Sequence, residues 1–176
     1  MSLDSLHQLY VDKLKDLYSA EKQIVRALPS MIKAANSPQL QAALQEHLQV
    51  TETHVQRIEK ITSNLDVSPR GKKCAGMEGL LEEGKELLQE KPEPDILDAG
   101  IIGAAQGVEH YEIAGYGTAR TWAELLGDQT GARLLHQTLD EEKQADKTLT
   151  GLAKNNINAM AKNGEMAMAG NGKSRR

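Results

Sequence analysis

Four long stretches of the chain repeat apolar residues at intervals of three and four, and this periodicity constrains the fold most. Such spacing places the apolar side chains on one face of an α-helix. The predicted helices cover about residues 5–35, 38–63, 95–127 and 129–153. Because a helix buries its apolar face against other elements, the pattern predicts an all-α bundle.

The segment between the second and third long helices is too long for a simple turn. It contains the stretch "CAGMEGLLEEGKELLQE", which predicts a shorter fifth helix, and it ends at "KPEPD". One long crossover is typical of ferritin-like four-helix bundles. Within the first helix, Pro29 predicts a kink or a break, and Ser37 with Pro38 predicts the start of the second helix.

The composition agrees with a helical bundle and limits the partners. Aromatic residues make up only 3% of the 176 residues, and the formal net charge is -4. The negative charge argues against binding to nucleic acid or to an anionic membrane surface. The single cysteine, Cys74, and the lack of a long apolar segment predict a protein of the cytoplasm, without a membrane span.

The last part of the chain loses the helical periodicity. The stretch "KNNINAMAKNGEMAMAGNGKSRR" is rich in Gly, Asn and Ala and ends in basic residues. Such a segment has little apolar surface to bury. We therefore predict a ferritin-like domain over residues 1–154 and a flexible, disordered tail over residues 155–176.

The apolar stripes of the four long helices are interrupted by carboxylates. On a helical projection, Glu21, Glu112 and Glu142 lie within the stripes of the first, third and fourth helices. Three further acidic residues lie beside the stripes or one turn away, and these are Glu52, Glu109 and Asp146. The sequence therefore predicts acidic groups inside the bundle.

Buried carboxylates are costly unless something neutralises them. One unpaired buried charge costs several kcal/mol, and neighbouring carboxylates also repel one another. Two iron or manganese ions would accept the carboxylate oxygens, and bundle cores are where such sites are built. Two alternatives stay open: the acids reach solvent at the bundle end, or they pair with Arg120 or Lys143.

The histidine pattern departs from that of the usual di-iron bundles. These carry Glu-x-x-His on two helices, whereas Glu52 is followed by Val55 and Glu142 by Ala145. His47 and His54 fall at the flanks of the second stripe, which places them at the surface or beside the ligands. The sequence therefore predicts a site dominated by oxygen ligands.

Five blocks of the chain resemble, in order, the bacterial YciE/YciF proteins, a ferritin-like family similar to rubrerythrins. They include "DLYSAEKQIVRALPSM", "HLQVTETHVQRIEKI" and "GVEHYEIAGYGTA", and together they span about residues 6–153. The resemblance implies a homodimer, a role in bacterial stress and a di-metal site. It assigns as ligands the acids of these blocks and of "LDEEKQADKTL", namely Glu21, Glu52, Glu109, Glu112, Glu142 and Asp146.

Two functions follow from these expectations. In the first, a di-metal centre of iron or manganese gives the protein an oxidoreductase activity, oxidising iron or reducing peroxide. In the second, the bundle is a non-enzymatic dimeric scaffold of the stress response, and its metal site is structural or vestigial. The sequence leaves open whether the protein is an enzyme.

Overall fold

The computed structural model describes residues 3–163 and contains five α-helices and no strand within them. The helices are α1 (Leu6–Ala34), α2 (Pro38–Asn64), α3 (Ala75–Glu90), α4 (Pro94–Leu126) and α5 (Gln129–Leu152). The short turns between α1 and α2, and between α4 and α5, make two antiparallel hairpins. Helix α3 lies in the crossover and packs against α1 and α4. This is the predicted ferritin-like bundle.

The helix ends follow from local chemistry. Ser37 begins α2, with its hydroxyl accepting from the amide of Leu40 at 3.4 Å, and Pro38 occupies the first turn. Gly127 closes α4 at a φ of 78°, which favours glycine, and the Asp128 carboxylate then accepts from the amide of Gly131 at 2.8 Å. Pro29 does not split α1, which continues through it.

The described helical part extends past the predicted end of the domain at residue 154. A short π-helix, Ala153–Ile157, follows α5, and helix continues to residue 163. Ile157 and Ala161 are buried, so this extension has an apolar side that packs on the bundle. The first part of the predicted disordered tail is therefore helical. Residues 164–176 lie outside the described residues, and the prediction for them stays untested.

The bundle core consists of two apolar halves with a polar layer between them. One half contains Leu17 of α1, Ile58 of α2 and Tyr116 of α4, and the other contains Ile24 of α1 and Val108 of α4. Each long helix passes from one half to the other and contributes polar side chains at the crossing. The polar layer thereby lies at mid-height of the bundle and is enclosed by hydrocarbon on both sides.

No helix within residues 3–163 combines the length and the apolar character that a membrane crossing requires.

Candidate metal centre

Four of the six predicted acidic residues meet in the polar layer. They are Glu21 from α1, Glu109 and Glu112 from α4, and Glu142 from α5, and all four are buried. The two residues of α4 are one turn apart, so both can face the same space. Three helices thus supply buried carboxylates to one place.

The other two predicted residues lie elsewhere. Glu52 is exposed on α2. Asp146 is half-buried on α5, accepts a hydrogen bond from Gln106 at 2.8 Å and lies 3.3 Å from His110. Neither belongs to the cluster of possible ligand atoms in the polar layer. Helix α2 therefore contributes no carboxylate to this cluster.

Helix α2 contributes histidines to the polar layer. His54 is fully buried, and His47 is only partly exposed, which differs from the flank positions predicted for them. The buried face of α2 continues through these polar residues at steps of three and four: Leu40, Leu44, His47, Thr51, His54, Ile58 and Ile61. The prediction followed only the apolar residues and so misplaced the face. The unbroken 3-4 spacing through the polar positions was the signal that could have located both histidines.

The ligand atoms form two groups that share one residue. The first group is His47, Glu109, Glu112 and Glu142, and the second is Glu21, His54 and Glu142. Within each group, one potential ligand atom of every residue lies within 4.8 Å of the others. Because Glu142 belongs to both, its two oxygens could bridge neighbouring ions.

The contacts inside the cluster are close but do not satisfy its polar atoms. Nδ1 of His54 lies 2.9 Å from Oε1 of Glu142 and 3.4 Å from Oε1 of Glu21, and Nε2 of His47 lies 3.3 Å from Oε1 of Glu109. None of these three contacts has hydrogen-bond geometry. Among the described residues, both oxygens of Glu112 and of Glu142 also lack a hydrogen-bond partner. A bound cation is one way in which such buried groups acquire a partner.

A second set of residues orients the cluster from outside. Nε2 of His54 lies 2.9 Å from Oε2 of Glu141, and both Glu141 oxygens accept from the guanidinium of Arg57. The Tyr116 hydroxyl donates to Glu21. Such contacts hold the ring and the carboxylate in fixed orientations. The Tyr18 hydroxyl, by contrast, donates to Glu59 of α2, which is not a member of the cluster.

The surroundings change the acidity of the cluster. Burial, and then the Glu142 charge, raise the pKa of Glu109 to about 11, and burial followed by Glu21 and Glu142 raises the pKa of Glu112 well above its usual range. Burial also raises the pKa of Glu21. Burial lowers the pKa of His54, but the Glu142 and Glu21 carboxylates outweigh it and raise that pKa to about 11. These shifts favour the protonated forms of Glu109, Glu112 and Glu21 in the metal-free protein.

Neither of the two basic residues named as alternative partners reaches the cluster. Arg120 lies 3.4 Å from Glu124, and Lys143 lies 3.7 Å from Asp140, so each has a carboxylate partner outside the cluster. The acids also do not lie at an end of the bundle. Four carboxylates and two imidazoles form a donor set that suits iron or manganese. The residues therefore fit a two-ion centre.

The sequence matches a known family over most of its length. The model of the family described as "Domain of unknown function (DUF892)" matches residues 5–162. Among curated proteins, protein YciF of Escherichia coli K12 is 43% identical over 161 residues, which cover 90% of this chain and 96% of YciF. This identity confirms the predicted resemblance.

Solved structures share the fold. The Escherichia coli stress protein YciF has a TM-score of 0.85 at 41% identity, over 89% of this chain and 99% of that one. A putative structural protein from Rhodopseudomonas palustris, YcfI, has a TM-score of 0.82 at 39% identity, over 85% of this chain and 97% of that one. A protein from Xanthomonas campestris shares the fold at 20% identity, with a TM-score of 0.75, over 92% of this chain and 99% of that one.

Proposed function

Because this chain belongs to the DUF892 family and is a close relative of YciF, we propose that it is a bacterial stress-response protein with a di-metal centre. The centre would bind two iron or manganese ions per chain. The stress role is inferred from the description of Escherichia coli YciF as a stress protein. The metal centre is inferred from this chain's own residues.

The buried carboxylate cluster is the observation that carries the metal proposal. His47, Glu109 and Glu112 would hold one ion, Glu21 and His54 would hold the other, and Glu142 would contact both. When bound, such an ion pair supplies one-electron redox chemistry toward O2 or peroxide. Glu141 and Tyr116 would keep His54 and Glu21 oriented toward the ions.

The proposed activity is oxidation of iron or reduction of peroxide at this centre. The buried, partly protonated acids support it, because they can give up protons when cations bind and can take protons up when oxygen is reduced. The apolar halves of the core exclude bulk water from the polar layer. Strongly shifted pKa values in a desolvated cluster are also typical of functional sites.

Metal analysis tests the proposal. The protein is purified without chelators, and iron and manganese are measured per chain before and after anaerobic reconstitution. We expect two ions per chain and consumption of O2 or peroxide by the reduced, loaded protein. Two ions without such consumption would indicate a structural metal site. No bound metal after reconstitution would favour the scaffold function, as the description of the Rhodopseudomonas palustris relative suggests for that protein.

We also propose that the protein forms a homodimer in the cytoplasm, as the resemblance implies. Light scattering on the purified protein tests the dimer, with a mass near twice the 19.2 kDa of one chain as the expected result.

A further inference from the structure

A cavity of about 250 Å3 opens between α2 and α5 and leads to the metal centre. Its lining includes His47 and Glu109, two members of the first ligand group. The remaining members of that group, Glu112 and Glu142, are fully buried and do not line it. A molecule in this cavity would therefore meet the centre at His47 and Glu109.

The polar end of the cavity has an unused hydrogen-bonding group. The His47 side chain is 9% exposed, and its Nε2 has no hydrogen-bond partner among the described residues. Oε2 of Glu109 also has no hydrogen-bond partner among the described residues. Buried polar atoms of this kind normally have partners. Because both residues line the cavity, a polar head bound at this end would lie next to them.

The wall of the cavity is mainly apolar. Leu44, Val50, Ala145 and Leu149 contribute hydrocarbon to it. An alkyl group gains free energy against such a wall, whereas hydrogen peroxide or a hydrated cation gains none. The volume lies just below the usual range for ligand pockets, so it suits a small molecule.

Charge restricts the molecule further. Three carboxylates, those of Glu46, Glu109 and Glu141, line the cavity. The guanidinium of Arg57 balances the charge of Glu141. A charged head of either sign would lose its hydration against the apolar wall. The head of the bound molecule is therefore uncharged.

We propose that the cavity binds a small uncharged organic molecule whose alkyl body lies against the wall and whose hydroxyl or hydroperoxyl head reaches His47 and Glu109. The substrate class of the centre would then be alkyl hydroperoxides, a conclusion that rests on the proposed peroxide reduction. That reaction breaks the O–O bond, takes one electron from each of two reduced metal ions and two protons from solvent, and yields the alcohol and water.

The alcohol product provides a probe that does not react. Metal-free protein labelled with 15N is titrated by NMR with straight-chain primary alcohols from propanol to hexanol. We expect the His47 signals to shift and the affinity to rise about fourfold per added methylene until the cavity is filled. Hexanoate should bind at least tenfold more weakly than hexanol. A flat series, or equal binding of hexanoate, would overturn the proposal.

Two neighbouring alanines give a matched pair of variants. Ala43 lines the cavity, whereas Ala42 is exposed on the same helix and lies outside it. Ala43→Phe should lower hexanol affinity at least tenfold, and Ala42→Phe should leave it within twofold. If Ala43→Phe does not fold, Ala145→Leu replaces it with the same expectation. Equal affinities in the wild type and the folded cavity variant would contradict the proposal.

The reaction is tested separately from binding. Metal-loaded wild type should reduce an alkyl hydroperoxide faster than hydrogen peroxide, and the folded cavity variant should lose this preference. Metal content is measured in the same samples. Alcohol binding without metal binding would overturn the proposed function and the hydroperoxide assignment, but would support the cavity as a ligand site. Metal binding without alcohol binding would support the proposed metal centre, but would overturn both the cavity as a ligand site and the hydroperoxide assignment.

Discussion

Nδ1 of His54 on α2 lies 2.9 Å from Oε1 of Glu142 on α5, and both side chains are fully buried. Burial raises the pKa of Glu142, but the adjacent His54 outweighs it and the net pKa is lowered. These opposite pKa shifts favour an imidazolium beside an ionised carboxylate in the metal-free state. This pair determines whether the loss of Glu142 stabilises or destabilises the metal-free protein.

Glu142→Leu should destabilise the metal-free protein by about 3 kcal/mol, because removing one partner of a buried pair leaves the other charge uncompensated. Glu21, whose Oε1 lies 3.4 Å from Nδ1 of His54, still balances part of the His54 charge. We therefore expect the low end of the stability loss that is usual for a broken buried ion pair. If Glu142 were only a repelled carboxylate, the same change would stabilise the protein. Urea unfolding in the presence of chelator measures the difference.

Glu52→Leu is the matched control for this substitution. Glu52 is exposed on α2, so its replacement should change the free energy of unfolding by no more than about 0.5 kcal/mol. A Glu142→Leu variant more stable than wild type would show that His54 does not stabilise the Glu142 carboxylate.

The fold could be predicted from the sequence because its main signals are local. Helical periodicity, the caps at Ser37 and Asp128, and the glycine at position 127 determine where helices begin and end. The extension past residue 154 was missed because only a few buried residues, such as Ile157, mark its apolar side. Its packing depends on tertiary contacts that periodicity does not show.

The site was only partly predictable. Glu21, Glu112 and Glu142 stand inside apolar stripes, so their burial follows from the sequence alone. On α2 the middle of the inward face is polar, and an analysis that follows apolar residues favours Glu52 over His54. Which of several acids on one helix reaches the centre depends on the rotation of that helix in the bundle, and neighbouring helices set this rotation.

The metal-free protein should lose stability as the pH rises from about 7 to 9. Glu109 and His54 have folded pKa values of about 11, and those of Glu112 and Glu21 are also raised. A raised folded pKa gives stability that is complete below the unfolded pKa and is lost as the pH approaches the folded one. The unfolded values, 4.5 for Glu and 6.5 for His, lie below this window.

Groups with lowered pKa values do not oppose this trend above pH 7. Burial lowers the pKa of His47, and His54 lowers that of Glu142, so their contributions are lost only when the pH falls below about 6.5 and 4.5 respectively. Urea midpoints at several pH values, with chelator, measure the effect. A midpoint that rises with pH would show that the buried acids are already ionised in the folded state.

Glu141→Gln should weaken metal binding about tenfold, since residues that orient ligands typically contribute this much. Glu141 lies 2.9 Å from Nε2 of His54, which leaves Nδ1 facing Glu142 and Glu21. With Zn(II) as a diamagnetic substitute, 15N NMR of His54 should show the proton on Nε2 in wild type and a mixture in the variant.

Asp140→Asn is the control for this experiment. Asp140 precedes Glu141 on α5 but is exposed, so its replacement should leave both the affinity and the His54 spectrum unchanged. If Glu141→Gln keeps the wild-type spectrum and affinity, Glu141 does not orient His54.

Truncation after Asn156 should lower the melting temperature, because it removes the buried residues Ile157 and Ala161. Burial of an isoleucine contributes about 2 kcal/mol, which corresponds to about 4–8 °C in a chain of this size. Truncation after Asn163 removes only residues outside the described part and serves as the comparison. Differential scanning calorimetry of the full chain and of both truncated forms measures their melting temperatures. Equal melting temperatures would show that the extension adds no stability.

Anaerobic Mn(II) titration of Glu142→Gln against wild type and Glu52→Gln tests the central claim most directly. Glu142 belongs to both ligand groups, so its neutralisation should weaken both sites, whereas Glu52 belongs to neither. Calorimetry and EPR should show two ions per chain in wild type and Glu52→Gln, and fewer than one at the same concentration in Glu142→Gln. Wild-type protein that binds no Mn(II) or Fe(II), or a Glu142→Gln variant that binds two ions as tightly as wild type, would contradict a di-metal centre in the polar layer.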